Sequence, residues 1–253
     1  SVSEYALDSF KEKAKTPTLG GFVFVLVPLV AFVFNTRYHF NLPQINLLLL
    51  TYFVYGLIGF VDDVKILIEK NNAGISAGLK FALQLLFAAI LYTFFKSSLS
   101  TIVTIPYFNL SIDLGFSYMI LVLIMLSGAS NGVNLTDGMD GLAGGTVFIS
   151  LAGFAFIAYS RNEIMILAVI ASVMGSLGAY LMFNWHPAKL FMGDTGSLPL
   201  GALLAALAMI MKLELVLLVL GLVFVVETVC VMLQIFWVNT FKKRLVRYTP
   251  IHY

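Results

Sequence analysis

Charge is scarce in this chain: Asp, Glu, Lys and Arg make up only 11% of its 253 residues. A soluble domain carries about 25%, so a water-facing globule is excluded. The net charge of +2, with no basic run interleaved with aromatics, excludes nucleic acid as a partner. Cysteine is nearly absent. Cys230 stands alone in an apolar run, which rules out a disulfide framework and reads as a small core residue. No cleavable signal pattern opens the chain, because residues 1–16 are charged and carry no apolar core. The apolar runs also lack the period-2 alternation of lipid-facing strands, which removes a β-barrel.

What remains is grease: 60% of the residues are hydrophobic, with a mean hydropathy of +0.97. Crossing about 30 Å of hydrocarbon takes about 20 apolar residues, and only helices satisfy their own backbone there. Eight runs qualify, at roughly 17–34, 44–61, 79–95, 115–131, 142–159, 163–182, 196–212 and 213–236. The expected fold is an all-α integral membrane protein, a polytopic helix bundle forming one domain over 1–253. Pro28 falls inside the first span and should kink it. The β-branched segment 100–114 reads as a small hairpin outside the membrane. No internal repeat is evident.

Lys11, Lys13, Lys15, Lys65, Lys70, Lys189, Lys242, Lys243, Arg244 and Arg247 fall on one side of this map. Arg37, Lys96, Arg161 and Lys212 fall on the other, and Lys80 opens a span near the first side. That bias makes the richer side cytoplasmic. Asp62, Asp63, Asp137, Asp140 and Asp194 lie there too, with Asn131, Asn134, Asn184, His186 and His252, whereas Asp113, Glu163 and Glu214 are scattered opposite. A cytoplasmic site is expected.

The densest stretch is Ser127 to Gly144, with two Asn, two Asp and five Gly between apolar segments. Carboxylates and carboxamides beside flexible glycines suit a cation and a polyphosphate; a plain turn is the alternative, since Asn-Gly and Asp-Gly are ordinary turn signals. Asn131, Asn134 and Asp137 share a face if helical, and Asp140 extends it. Asp62 and Asp63 end the second span. Adjacent helical residues point about 100° apart, so one can contact metal while the other orients or acts as base. Carboxylates at a helix C-terminus oppose its dipole, which argues against a merely solvated end. Asp194 precedes the seventh span and reads either as its N-cap or as a ligand for Mg²⁺ with the helix N-terminus facing phosphate. His186 is a solvated loop histidine in its bland reading. Glu227 costs about 3 kcal/mol in lipid and should face the bundle interior; a transport path is its alternative reading, although no acid or cation stands at its depth. The basic run Lys242 to His252 reads as a surface anchor or as a diphosphate-binding flank.

From Lys13 to its end the chain resembles the phospho-N-acetylmuramoyl-pentapeptide transferase family. The resemblance rests on Thr16-Pro-Thr-Leu-Gly-Gly21, Gly59-Phe-Val-Asp-Asp63, Asn131-Gly-Val-Asn-Leu-Thr-Asp-Gly-Met-Asp-Gly-Leu142, the Phe191–Leu198 segment and Arg247-Tyr-Thr-Pro-Ile-His252, in the family's order. The chain departs from the pattern at Ala6-Leu7 and Phe10, and Tyr253 stands where further histidines are usual. The resemblance implies ten helices in a full member, so the first and last are expected to be missing here. It implies transfer of phospho-MurNAc-pentapeptide from its UDP conjugate to undecaprenyl phosphate, giving lipid I and UMP for peptidoglycan synthesis. The setting would be the bacterial inner membrane, with the active site on the cytoplasmic face. Mg²⁺ is implied as cofactor with Asp194 as its ligand. Asp62, Asp63, Asp194 and His252 carry over as catalytic residues, Asp62 deprotonating or positioning the lipid phosphate. Lys13, Asn131, Asn134, Asp137, Asp140, Asn184 and Phe191 carry over to donor binding, with Phe191 stacking on uracil. The implied partners are the UDP-sugar peptide, undecaprenyl phosphate and the lipid bilayer, with a homodimer allowed. Two alternatives are kept: a sibling enzyme moving another hexosamine 1-phosphate, and a secondary transporter. A transporter site is expected near the midplane between repeats, unlike this one-sided cluster.

Overall fold

The computed structural model describes residues 16–34, 42–69, 74–105, 108 and 110–252, with residues 31–34 described by backbone alone. Lys11, Lys13, Lys15, Arg37 and Lys70, the departures at Ala6-Leu7 and Phe10, and Tyr253 lie outside the described residues. Nine α-helices follow in order among those described: α1 Gly21–Phe34, α2 Pro43–Glu69, α3 Ala77–Phe95, α4 Tyr118–Thr136, α5 Leu142–Ser160, α6 Ile164–Asn184, α7 Gly193–Ile210, α8 Val216–Leu220 and α9 Leu222–Phe241. Between α3 and α4 lies the expected hairpin, β1 Ile102–Ile105 antiparallel to β2 Leu110–Asp113, with Ile102 opposite Asp113. The Thr101 hydroxyl and the Gly115 N–H both donate to the Asp113 carboxylate and hold its pKa below the usual range.

Among the described residues seven helices are long and apolar enough to cross a membrane, against the eight spans expected. The difference lies in α1. Its 14 residues begin only at Gly21, because the residues before it are tied to the segment ahead of α7: the Phe191 N–H donates to the Pro17 carbonyl at 2.9 Å, and the Gly20 and Gly21 N–H groups donate to the Phe191 and Met192 carbonyls at 2.8 and 3.0 Å. Two other expectations also change. The second span does not end at Asp62 but runs to Glu69, so the aspartate pair lies within a helix. The last run breaks at Gly221 into the short α8 and the long α9.

The bundle is built around α7. Its span window is 89% buried, against 50% for α2 and 11% for α9. Lipid tails are as apolar as leucine, so close packing rather than hydrophobicity brings membrane helices together. The α7 sequence suits that, carrying Gly196, Gly201 and four alanines. At Gly59 of α2 an added Cβ would stand 2.0 Å from the Asp194 carbonyl oxygen, so only glycine lets α2 approach the start of α7. By contrast α9 presents Val226, Met232, Phe236 and Trp237 outward, the dress of a lipid-facing helix.

Buried polar ties set the helices in register. The Tyr55 hydroxyl donates to the Gln84 carbonyl at 3.0 Å, joining α2 to α3, and Asn131 Nδ2 donates to Gln84 Oε1 at 2.6 Å, joining α3 to α4. On the face away from the aspartates, Glu214 Oε1 accepts from Tyr118 at 2.8 Å and from Lys212 at 2.6 Å, and Lys212 also donates to the Ser100 carbonyl.

Pro28 leaves the Phe24 carbonyl without its helical donor, and the Tyr52 hydroxyl supplies one at 2.8 Å. Tyr52→Phe should therefore lower stability by about 1 kcal/mol. The loss should shrink in a Pro28→Ala background, where residue 28 regains an N–H. Unfolding of the detergent-extracted single and double variants measures the coupling.

Candidate active site

Three carboxylates from two helices converge where α2 passes the start of α7: Asp62, Asp63 and Asp194 each offer an oxygen within 4.8 Å of the others. Asp62 and Asp63 are 3% and 6% exposed, so a local explanation is needed for both.

Their directions differ, as the helical angle requires. Asp63 turns toward α7. Its Oδ1 accepts from the Asp194 N–H at 3.1 Å, and its Oδ2 accepts from the Thr195 N–H at 2.9 Å and the Thr195 hydroxyl at 2.6 Å. It thus closes the N-terminus of a helix whose own preceding residue, Met192, makes no side-chain cap. Gly193, at φ +66°, has no Cβ to collide with that carboxylate. The N-cap reading of Asp194 is thereby corrected: the cap comes from another helix, and Asp194 lies inside the first turn.

Asp62 turns the other way. Its Oδ1 accepts from the Ile75 N–H at 2.8 Å and pairs with Lys80 Nζ at 3.0 Å. The same ammonium donates to Asp194 Oδ2. Asp194 Oδ1 accepts from Asn134 Nδ2 at 2.7 Å, which also donates to the Ser197 hydroxyl at 2.9 Å. Lys80 was not among the residues assigned to the site from sequence. A cation near the start of a helix opposes the dipole, and that misplacement was its signal. Gln84, one turn further along α3, was missed as well.

One ammonium, paired with Asp62 and Asp194, stands against three carboxylates, so the cluster keeps net negative charge. An all-oxygen carboxylate set suits a hard divalent cation. Asp62 and Asp194 would hold one more readily than Asp63, whose oxygens already take three donors from α7.

The other sequence candidates are distributed around this centre. Asn131 pairs with Gln84 and with the Ser127 carbonyl at 2.8 Å, one turn deeper than Asn134. The helical face proposed for Asp137 and Asp140 is corrected: α4 ends at Thr136, Asp137 follows as its C-cap, and Asp140 lies in the turn beyond. Asp140 Oδ2 accepts from the Ala188 N–H at 3.1 Å and lies 3.0 Å from His186 Nδ1, the His186 side chain being otherwise open to solvent. Asn184 is buried; its Oδ1 accepts from the Gly141 N–H and its Nδ2 donates to the Leu190 carbonyl, so it ties two loops together. Phe191 is half-buried beside Gly193. His252 is not in the aspartate cluster: its Nδ1 lies 3.0 Å from Glu227 Oε1, so Glu227 has a partner that the sequence map did not provide. Lys13 is outside the described residues.

An acidic cluster at one end of a bundle of helices long and apolar enough to cross a membrane marks a polytopic membrane protein. Residues 45–212 match the family model described as glycosyl transferase family 4. Relatives named phospho-N-acetylmuramoyl-pentapeptide-transferase match the whole chain. Those of Anoxybacillus flavithermus and Bacillus subtilis are each 40% identical over 100% of this chain and 79% of their own length. That of Halalkalibacterium halodurans is 42% identical over 100% and 78%. The chain belongs to the phospho-N-acetylmuramoyl-pentapeptide-transferase family.

The two adjacent aspartates should separate by experiment. Asp63→Ala removes the cap of the central helix and should lower stability by about 1–2 kcal/mol. Asp63→Asn, whose single amide oxygen accepts from only one of the two N–H groups, should recover only part of that. Thermal unfolding in detergent compares the pair.

Proposed function

We propose that this chain transfers phospho-MurNAc-pentapeptide from its UDP conjugate to undecaprenyl phosphate, releasing UMP and forming lipid I. The observation that carries this reading is the gathering of Asp62, Asp63 and Asp194, with Lys80 between Asp62 and Asp194, in a chain 40% identical along its full length to transferases of that name. Phosphoryl transfer asks little covalent work of a protein and much positioning and charge neutralisation.

In this mechanism an oxygen of the lipid phosphate attacks the phosphorus bearing the sugar. The bond from that phosphorus to the bridging oxygen breaks, and UMP leaves with the bonding pair. The acceptor needs no strong base, because a phosphate monoester with a second pKa of about 6 is mostly ionised near neutral pH. Asp62, held by Lys80, is therefore assigned to positioning. Lys80 meets the charge of the diphosphate. Mg²⁺, held by Asp194 and Asp62, would supply the further neutralisation of the transferring group. The loops around Asp137, Asp140 and Phe191 are assigned to the uridine end, with Phe191 as stacking surface and Asn184 holding the loops together. Lys13 and His252 are assigned to the donor phosphates.

The acceptor's tail has a fitting surface. An apolar groove of about 490 Å³ is lined by Leu121, Met125, Leu204, Leu217, Phe224 and Thr228, among others. Thr228 packs against Gly132, between Asn131 and Asn134. Lys65, Lys189, Lys242, Lys243, Arg244 and Arg247 are at the site's end of the bundle, against Lys96, Arg161 and Lys212 at the other. That bias supports a plasma-membrane enzyme with its site on the cytoplasmic face.

Purified protein should release UMP from UDP-MurNAc-pentapeptide only with polyprenyl phosphate and Mg²⁺ present, and EDTA should stop it. Release from UDP-GlcNAc instead would assign the chain to the sibling reaction. Asp194→Asn should lower kcat by about 100-fold or more, and Asp62→Ala and His252→Ala should abolish turnover in protein that remains monodisperse. Near-normal release from Asp194→Asn would remove the metal assignment.

A further inference from the structure

Glu227 is the sole charged residue of α9, a helix otherwise made for lipid, and the reaction above gives it no task. A carboxylate at such depth costs about 3 kcal/mol unless it finds donors. It finds three. Its Oε2 accepts from the Ile251 N–H at 2.8 Å, and its Oε1 accepts from the His252 N–H at 3.3 Å and faces His252 Nδ1 at 3.0 Å. Both side chains are only 7% exposed.

The contact is one of two along the same helix. Seven residues further on, Gln234 Oε1 accepts from the Leu245 and Val246 N–H groups, each at 3.0 Å, and its Nε2 donates to the Val246 carbonyl at 3.3 Å. Seven residues are two turns and about 10.5 Å of helix, so both side chains lie on one face. The chain beyond α9 folds back along that face and is gripped by its backbone at both points. The grip lies close to the acidic centre: α9 packs on α4 through Phe224 and Thr228 against Gly132, and Asn134, next along α4, bonds Asp194.

We propose that Glu227 is a positioning residue for phosphoryl transfer, clasping residues 251–252 and fixing the tautomer of His252. A carboxylate can only accept, so the neutral imidazole carries its proton on Nδ1, which leaves Nε2 as the acceptor. Without Glu227 the ring takes either tautomer and the segment loses its anchor at the site end while Gln234 keeps the other. This rests on the reading of His252 as a residue of the transfer reaction.

The chain has three histidines, so ¹⁵N-histidine labelling resolves the ring nitrogens, with His252→Ala identifying the signal. The expected wild-type spectrum shows the neutral His252 ring protonated on Nδ1. Glu227→Gln, of equal size and offering donor and acceptor alike, should show both tautomers and lower kcat about 10–100-fold, with KM for the UDP-sugar peptide changed less than about twofold. Glu227→Asp, which keeps the carboxylate, should restore the Nδ1–H form and part of the rate. A single Nδ1–H form in Glu227→Gln, or unchanged kcat there, overturns the proposal. Should Glu227→Gln aggregate, the same two readings on Glu227→Asp decide: an Nε2–H ring at wild-type rate overturns it. Normal turnover by His252→Ala would instead overturn the catalytic reading of His252, a result distinguishable because the spectrum reports the clasp without activity.

Discussion

A carboxylate from one helix closes the N-terminus of another, and the rest of the site depends on that contact. Asp63 takes two backbone N–H groups and a hydroxyl at the start of α7. The unpaired N–H groups and positive dipole end of a helix buried on nearly all sides need such a partner. The same contact seats α2 against α7 at Gly59 and delivers the neighbouring Asp62 to the opposite side, within reach of Asp194. One buried interaction thereby stabilises the central helix and sets the spacing of the acidic centre.

Several residues here are badly placed for their own helices and well placed for each other. Lys80 near the start of α3 opposes that helix's dipole, and Asp62 is a charge inside an apolar span. Together with Asp194 they form a compact group in which the ammonium partly offsets the carboxylates. The remaining negative charge is what a hard cation needs. Glu227 follows the same logic at a different point, its cost in lipid offset by a returning segment that ends in His252.

The architecture also accounts for where the chemistry sits. A lipid phosphate stays at the boundary of the bilayer while its tail stays in hydrocarbon. The acidic centre lies at the end of the bundle, the apolar groove runs from Thr228 toward the hairpin, and α9 presents a bare face to lipid. Small residues on α7 allow that crowding, since close backbone approach replaces the hydrophobic drive that water would otherwise supply.

Composition and run length by themselves determined the membrane class, the helical architecture, the hairpin at 100–114 and the side on which the acids gather, because hydrocarbon thickness and backbone hydrogen bonding act on each segment separately. Span ends were less legible. Pairing of residues 17–21 with 191–192 shortened α1, and a helix carrying Asp62 and Asp63 continued because both found partners across the bundle. Only the tertiary structure decided which aspartate caps α7, that Lys80 and Gln84 belong to the site, that Asn184 ties loops together, and that Glu227 meets His252. These contacts join residues that sequence does not pair, 43 apart for Gly141 and Asn184 and 132 apart for Asp63 and Thr195, or a helix and its own returning chain. Periodicity reports which face a residue occupies; the partner on that face is set by how the helices pack.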